Sequence, residues 1–421
     1  MFQKTTLDNG LRIITQAMPH TRSVSVLFLV GVGSRYEADM ESGATHFIEH
    51  MFFKGTDKRP TAHDIAEAIE GLGGIFGAGT GRETTVFWAK VAELHLPIAL
   101  DVLVDMLRNA HFDAKELDKE AQVIIEEINL SLDTPSDVVH MLAYDQLWPG
   151  HPLGRDIAGT RESVVTLKRD ALLDYMARHY GPNRTVISLA GNLEHEDVVA
   201  RLVEYLGDWQ PTDAISFASA PDSHTTLRFN VHSRETEQAQ IHISVPGLPL
   251  SHPDRFVLRL LNTVLGGGMS SRLFQEIRER RGLAYSVDAF AETLLDTGVV
   301  GMYAGVSPEQ ATTAVSALLA EWDRLRQEPV PEDELHKARE YLKGRMLLAL
   351  EDSAACASWW GRQEVRDQPL ENPDEVVAQL DAVTPEAIQS LSQTLFQEEK
   401  LNMVVLGPFQ SKAPFLSALR S

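Results

Sequence analysis

The sequence predicts an α+β protein built from two repeated domains. Its 421 residues exceed what one hydrophobic core usually supports, and 43% of them are hydrophobic, which is enough to fill two cores. Strand-like runs and helical patterns occur in both halves of the chain in a similar order. A segment rich in Pro, Ser, Ala and Asp lies near the midpoint. We therefore predict an N-terminal domain over 1–210, a linker over 211–225 and a C-terminal domain over 226–421.

Each half begins with two runs typical of strands, continues through helical patterns and ends with a run typical of a buried strand. In the first half these runs read RIITQAM, SVSVLFLVGV and TVISLAG. In the second half they read LRFNV, AQIHISVPGL and LNMVVLG, and the helical stretches lie near 253–265, 308–326 and 331–351.

Two short matches align the halves. The tripeptide VGV at 30–32 overlays PGL at 246–248 with an offset of 216, and ELDK at 116–119 overlays ELHK at 334–337 with an offset of 218. These matches indicate an internal repeat of about 200 residues. Chance similarity between two amphipathic α/β segments is the alternative explanation.

Charge and cysteine content exclude several classes of protein. Sixty acidic against 38 basic side chains give a formal charge of −22, which argues against nucleic-acid and anionic-membrane partners. Cys356 is the only cysteine, so disulfides and cysteine-based metal sites are excluded, and a reducing compartment fits. The first 16 residues lack the apolar core of a signal peptide, and the longest apolar run, 24–33, is too short to span a bilayer. We expect a soluble, cytoplasmic protein.

The pattern His-x-x-Glu-His occurs at residues 46–50. On a helix His46, Glu49 and His50 share one face, while the apolar residues among them lie on the other. Ser42 is predicted as the N-cap and Gly55 as the C-terminal stop. Two neutral His at i and i+4 can each give a ring nitrogen to one zinc ion, which leaves Glu49 free to act as a base. Such a pattern also arises by chance and is not decisive alone. A zinc site needs a third protein ligand as well.

A helical pattern over 116–130 offers that ligand. Glu120 and Glu127 flank its apolar stripe seven residues apart, hence on one face, whereas Glu126 points into solvent. Glu127 is therefore the better ligand, and Glu120 could bind the far side of a ligating His. From periodicity alone, an ordinary acidic helix face is the slightly better explanation.

The spacing of these residues resembles that of a known family. The motif followed by Glu127 after 76 intervening residues, with Glu120 seven residues before it, is similar to the pitrilysin-like inverzincin metallopeptidases, which include mitochondrial processing peptidase and insulin-degrading enzyme. The strings GATHFIEHMFFKGT and LDNGLRI extend the likeness. The resemblance implies that His46, His50 and Glu127 bind one Zn²⁺ per chain, that Glu49 is the general base and that Glu120 supports a ligand.

The second half resembles the same family at an Arg and Tyr pair. Phe274 begins the string FQEIR, which ends at Arg278, and RGLAY ends at Tyr285. In the family this pair reaches the active site from the other half, where an Arg and a Tyr can donate to a peptide carbonyl and a developing oxyanion. Without the resemblance, Arg278 is better explained as a solvated helix charge and Tyr285 as a core aromatic. At the repeat offset the second half carries no metal ligands at the three motif positions: Asn262, Leu265 and Gly266.

Residues 73–85, GGIFGAGTGRETT, are similar to the family's edge strand, which pairs with the substrate backbone. The predicted substrate contacts are Gly77, Ala78, Gly79 and Thr80. Where the family usually has Asn, this chain has Gly77, so a side-chain contact to the peptide is expected to be missing, while main-chain pairing could survive. The glycines are expected to loosen this edge. A phosphate-binding loop is the rival interpretation, but no Lys-Ser/Thr pair follows.

The resemblance implies a clamshell of two α/β-sandwich domains, each with a mainly antiparallel sheet and helices. It implies a zinc-dependent endopeptidase that hydrolyses oligopeptides or unfolded segments. A homodimer is expected, and a heterodimer with a related chain is possible. Two alternatives remain, a non-catalytic assembly subunit related to the peptidases and a zinc-containing peptide-binding protein with negligible turnover.

Overall fold

The computed structural model describes residues 2–221 and 224–419, which form two compact units. Unit 1 takes its described residues from 1–129, 155–218 and 347–370, and unit 2 takes them from 130–154, 219–346 and 371–421. Asp222 and Ser223 of the predicted linker lie outside the described residues.

Unit 1 contains a six-stranded sheet. Its strands are β1 (Phe2–Thr6), β2 (Arg12–Ala17), β3 (Ser23–Val30), β4 (Ile75–Thr80), β5 (Thr85–Ala92) and β6 (Thr185–Gly191). Their order is β1-β2-β6-β3-β5-β4, so β4 is an edge strand. Only β2 and β6 run parallel, and the other neighbours are antiparallel.

Unit 2 contains a five-stranded sheet with the same topology. Its strands are β7 (Arg228–Ser233), β8 (Ala239–Pro246), β9 (Ala284–Thr293), β10 (Gly298–Val306) and β11 (Asn402–Gly407). Their order, β7-β11-β8-β10-β9, repeats that of β2-β6-β3-β5-β4, including the single parallel pair. The predicted α+β class and its structural repeat are therefore confirmed, and β1 is an addition to the first copy.

Fifteen α-helices lie in the described part of the chain. The first half holds α1 (Ala44–Met51), α2 (Ala62–Glu70), α3 (Leu96–Asn109), α4 (Ala114–Asp133), α5 (Pro135–Leu147), α6 (Arg161–Thr166), α7 (Arg169–His179) and α8 (His195–Leu206). The second half holds α9 (Arg255–Gly266), α10 (Ala311–Gln327), α11 (Glu332–Ala349), α12 (Ser353–Val365), α13 (Pro373–Asp381), α14 (Pro385–Leu395) and α15 (Ala413–Ala418). None of the described helices combines the length and hydropathy of a membrane span.

Shorter helices connect these elements. A π-helix covers Phe274–Arg280. The 3₁₀ helices cover Ser34–Tyr36, Asp39–Glu41, Glu93–His95, Pro152–Gly154, Pro182–Arg184, Pro308–Gln310 and Glu398–Lys400.

The two halves exchange one helix each. Adding 218 to the bounds of α5 gives the bounds of α12, so these helices are equivalent in the repeat. Helix α5 nevertheless packs on β8 and β11 of unit 2, and α12 packs on β3 and β6 of unit 1. The core under α12 joins side chains from both halves of the sequence: Cys356, Ala357 and Trp360 with Leu27, Leu29, Val186 and Ala190.

This exchange makes the observed units differ from the predicted domains. The predicted boundaries assign 130–154 to the first domain and 347–370 to the second, whereas the structure places each segment in the other unit. The physical reason is that the apolar face of each exchanged helix is buried on the sheet of the opposite half. The break at 218–219 falls within the predicted linker, whose described residues form no helix or strand. The clamshell arrangement stays a prediction.

We expect a fragment of residues 1–218 to fail to fold alone, because it lacks α12 and exposes the apolar surface that this helix covers. Losing the buried side chains of α12 costs roughly 5 kcal/mol, comparable with the total stability of a domain. Near-ultraviolet circular dichroism and size-exclusion chromatography of the fragment would show this. Co-expression with residues 219–421 should restore the folded state, whereas a monodisperse fragment with the thermal midpoint of the full chain would contradict the assignment.

Candidate functional site

The helix that carries the motif begins one residue later than the sequence predicts. Ser42 is not its N-cap, since α1 begins at Ala44 and Gly43 occupies the cap position with φ of 89°. The carboxylate of Glu37 takes over the role of a cap, because it accepts hydrogen bonds from the backbone N–H groups of Gly43 and Thr45, both at 2.8 Å. Burial raises the pKa of Glu37 to about 7, although the hydrogen bonds from Thr45 and Gly43 act in the opposite direction.

Helix α1 presents two distinct faces. The apolar side chains on one face are fully buried: Phe47, Ile48 and Met51. His46, Glu49 and His50 lie on the other face and are only partly buried. The helix ends at Met51, four residues before the predicted stop at Gly55, whose φ is 127°. The eight-residue helix therefore anchors the three polar groups through its packed side.

The structure brings the three predicted metal ligands together. His46 Nε2 lies 3.3 Å from His50 Nε2, and Glu127 Oε2 lies 3.9 Å from the first nitrogen and 3.5 Å from the second. One ligand atom from each residue lies within 4.8 Å of the other two. The Glu127 side chain is 46% exposed, so the group opens to solvent on that side. Glu126 is exposed and takes no part in the group.

The far side of His50 is held by Glu120. His50 Nδ1 lies 2.8 Å from Glu120 Oε1, and the other carboxylate oxygen accepts from Lys54 Nζ at 2.6 Å. Burial opposes charging of His50, but the Glu120 hydrogen bond and the charges of Glu127 and Glu120 raise its pKa overall. Sequence reasoning missed Lys54, although its position one helical turn after His50 was a usable signal.

These contacts fit a zinc ion. When Nδ1–H of His50 donates to Glu120, the Nε2 of the same ring carries a lone pair and faces His46 Nε2. The two ring nitrogens are 3.3 Å apart, so a proton or a cation is needed between them. Burial, with the neighbouring His50, lowers the pKa of His46 to about 4, so this imidazole is neutral near pH 7, as a metal ligand must be. Two imidazoles and one carboxylate are the donor set of a catalytic zinc site.

Glu49 is not part of the metal group but lies beside it on α1. Its Oε2 accepts a hydrogen bond from the hydroxyl of Thr80 at 2.5 Å. Burial raises the pKa of Glu49, while the hydrogen bonds from Thr80 and the charge of His50 oppose the shift. A partly buried carboxylate of raised pKa next to a metal group suits the role of a general base.

Gly77 has a packing explanation within the sheet. A Cβ at this position would lie 2.9 Å from Cζ2 of Trp88, the residue opposite it on β5. Side chains alternate along a strand, and those of Phe76 and Thr80 lie on one face. Thr80 contacts Glu49 on α1, and Phe76 contacts Phe53, two residues after the end of that helix. The glycine therefore makes room for the Trp88 indole on the opposite face. Asn at 77 would require the indole to move.

In unit 2, Arg278 and Tyr285 lie against each other. Arg278 Nη1 donates to the Tyr285 carbonyl at 2.9 Å, and its guanidinium lies 4.7 Å from the Tyr285 ring and 4.8 Å from the Phe274 ring. Tyr285 is 76% exposed and is therefore not a core aromatic. Both residues line an open cleft of about 410 Å³. The predicted helix is a π-helix here, a rare form found often at functional sites.

The repeat position of the motif in unit 2 cannot hold a ligand. Gly266 stands where His50 stands in the first half, and a Cβ there would lie 2.2 Å from the backbone nitrogen of Ala289. No group of potential ligands occurs among the described residues of unit 2. In unit 1 a second, exposed group lies at the start of α2 and consists of His63, Asp64 and Glu67. Its Asp64 already accepts a hydrogen bond from the backbone N–H of Thr61, the N-cap of α2.

Fold and site together define a two-unit α+β protein with a metallohydrolase-like group in its first repeat. Residues 12–161 match the family model described as insulinase (peptidase family M16), and residues 166–342 match the one described as peptidase M16 inactive domain. The chain is 36% identical over 416 residues to an uncharacterized zinc protease of Streptomyces coelicolor, covering 97% of this chain and 90% of the relative. It is also 36% identical over 399 residues to one of Bacillus subtilis, covering 95% and 97%.

Solved structures show the same fold. A protease from Helicobacter pylori superimposes with a TM-score of 0.91 at 20% identity, and a peptidase M16 inactive domain from Pseudomonas fluorescens with 0.90 at 19%. Each comparison covers 97% of this chain and 99% of the other. At such identities the structures support the fold alone. On the sequence relatives and the family matches, the chain belongs to peptidase family M16, as the predicted resemblance to pitrilysin-like peptidases implied.

We expect Lys54→Met to weaken zinc binding about tenfold. This is the lower end of the loss in metal affinity that follows when a residue that orients a metal ligand is replaced. The substitution removes the cation that holds Glu120 against His50. Competition with a chromophoric chelator would measure the change. Lys58→Met is the matched control, because Lys58 pairs with Asp101 and not with Glu120. Equal affinities for the two variants would contradict the role given to Lys54.

Proposed function

We propose that the protein is a zinc-dependent endopeptidase that cleaves oligopeptides or unfolded segments. One observation carries the proposal. His46, His50 and Glu127 converge within 4.8 Å of one another, and Glu49 lies on the same helix face as the two imidazoles. The sequence relatives are named uncharacterized zinc proteases, and these names support the same activity.

In this proposal His46, His50 and Glu127 hold one zinc ion. A zinc ion with three protein ligands supplies Lewis acidity toward a carbonyl oxygen and increases the acidity of water. Neighbouring residues fix the orientation of the ligands. Glu120 holds the ring of His50 through Nδ1, and Lys54 keeps the Glu120 carboxylate ionised and oriented.

Glu49 is the proposed general base. Burial raises the pKa of Glu49, which makes its carboxylate a stronger base toward water, and the protonated carboxyl can then donate to the leaving amine. It is on the metal-facing side of α1, where the buried opposite face of the helix fixes its backbone. The same residue therefore serves as base in the attack on the peptide bond and as acid when that bond breaks.

The proposed substrate is an extended peptide that pairs with β4. This strand is at the edge of its sheet and pairs only with β5 among the described strands, so its other side is open to a further strand. Gly77 and Gly79 lack side chains, and residues 77–80 therefore present mainly backbone to a partner strand. Such recognition depends on an extended chain more than on particular side chains, which favours unfolded segments over folded proteins.

Arg278 and Tyr285 are proposed to contribute donors to the bound peptide. Arg278 contacts two aromatic rings, so its guanidinium is oriented before a ligand arrives. The exposed phenol of Tyr285 can donate to a carbonyl oxygen. This part of the proposal depends on the resemblance of the two residues to the family pair.

We expect the purified protein to bind one zinc ion per chain and to cleave members of a diverse pool of quenched fluorescent peptides. A chelator should abolish cleavage. Glu49→Gln should retain zinc and lower kcat at least about 100-fold, because a positioned base contributes at least that factor. Atomic emission spectroscopy and the peptide assay provide the two measurements.

Three other results would each reject part of this proposal. Stoichiometric zinc without cleavage of any peptide would favour a zinc-containing peptide-binding protein. A folded chain without zinc and without cleavage would favour a non-catalytic assembly subunit. Full activity of Glu49→Gln would remove Glu49 from the mechanism.

We expect Tyr285→Phe to lower kcat about 100-fold, as the loss of a donor to a developing oxyanion does in other hydrolases. The substitution removes only the hydroxyl and keeps the ring over which Arg278 lies. Tyr341→Phe, at a second partly exposed tyrosine of unit 2, is the matched control and should keep the parent kcat. Steady-state kinetics on one cleaved peptide would test this, and an unchanged kcat in Tyr285→Phe would exclude the phenol from catalysis.

A further inference from the structure

Thr80 has a specific partner in the structure. Its hydroxyl donates to Oε2 of Glu49 at 2.5 Å, a short contact between the end of β4 and the middle of α1. The side chain of Glu49 has three torsions, and the last one, at the carboxylate, is broad in the absence of a partner. This hydrogen bond to one oxygen therefore restricts the direction in which the other oxygen points.

The position of Thr80 is itself tightly determined. The turn that follows it is closed by a hydrogen bond from Gly81 N–H to Thr84 O, and Gly81 O accepts from Ser34 N–H at 3.1 Å. A Cβ at Gly33 would lie 2.2 Å from Gly81 O, so only glycine permits this approach of the two segments. The C-terminal end of β4 is thus held in place, in contrast to the loose edge expected from its glycines.

A buried ion pair reinforces the same turn. Arg35 Nη1 donates to Glu83 Oε1 at 2.7 Å, and both side chains are almost completely excluded from solvent. The backbone N–H of Arg35 also donates to Arg82 O at 2.8 Å. Separating a buried ion pair is unfavourable, because each charge is then left buried without its partner. The Arg35–Glu83 contact therefore resists displacement of the turn. Thr80 lies directly before the turn, so the same contacts fix its position.

Thr80 thereby connects two parts of the proposed site. The strand that carries it offers its open edge to a peptide, and its hydroxyl holds the base. We propose that Thr80 is a positioning residue, which aligns the Glu49 carboxylate with a peptide bound along β4. This inference depends on the proposed peptidase function and replaces the expected role of the Thr80 side chain as a substrate contact. The hydroxyl can donate to the ionised carboxylate and accept from the protonated one, so it suits both states of a base.

Thr80→Val and Thr80→Ser test the proposal, because valine keeps the shape and loses the hydroxyl, while serine keeps the hydroxyl. With the zinc-loaded full chain and one cleaved peptide, we expect Thr80→Val to lower kcat about 10- to 100-fold, less than loss of the base itself. KM and zinc content should stay at the parent values. Thr80→Ser should restore kcat to within about threefold of the parent. A rise in KM at constant kcat would instead make the side chain a substrate contact and overturn the proposal.

Crystal structures of the parent and of Thr80→Val provide a readout that needs no activity. We expect one Glu49 carboxylate orientation in the parent and several, or a different one, in the valine variant. An unchanged, fully ordered carboxylate in the variant would overturn the inference. A parent that cleaves no peptide would refute the proposed function, yet the two structures would still decide whether Thr80 orients Glu49.

Discussion

The arrangement of the candidate site depends on the contact between His50 and Glu120. Glu120 and Glu127 are seven residues apart on α4, which is two helical turns, and both face the same imidazole. The first contacts Nδ1 and the second approaches Nε2, so the ring lies between two carboxylates of one helix. Fixing α4 against α1 through Glu120 therefore also sets the position of the third ligand.

The structural repeat explains why one unit holds the group of candidate metal ligands and the other does not. Both sheets have the same strand order, and a helix equivalent to α1, α9, follows the equivalent strand in the second half. There the helix ends against β9 so closely that Gly266 has no room for a side chain. Unit 2 instead places Arg278 and Tyr285 at an open cleft. The same fold thus carries candidate metal ligands in unit 1 and an Arg–Tyr pair in unit 2.

Local patterns predicted the strands β2, β3, β6, β7, β8 and β11, several of the helices and the motif, because each depends on periodicity within a few residues. The runs that became β1, β5 and β10 were not singled out. Local patterns were less informative where a contact with a residue distant in the sequence determines the structure. Ser42 was a reasonable cap from its position, yet the carboxylate of Glu37 reaches the helix start from an earlier segment. The exchange of α5 and α12 had no local signal either, since an apolar helix face does not specify which sheet covers it. For Glu127, only the family resemblance favoured a metal ligand over a solvated charge.

The most direct test of the central claim is the location of zinc in crystals of the zinc-loaded protein, determined by anomalous diffraction at the zinc edge. The account predicts a peak bonded to His46 Nε2, His50 Nε2 and the Glu127 carboxylate, with Glu120 on the far side of His50. Absence of a peak at these three residues, or zinc bound only at the exposed group of His63, Asp64 and Glu67, would contradict it.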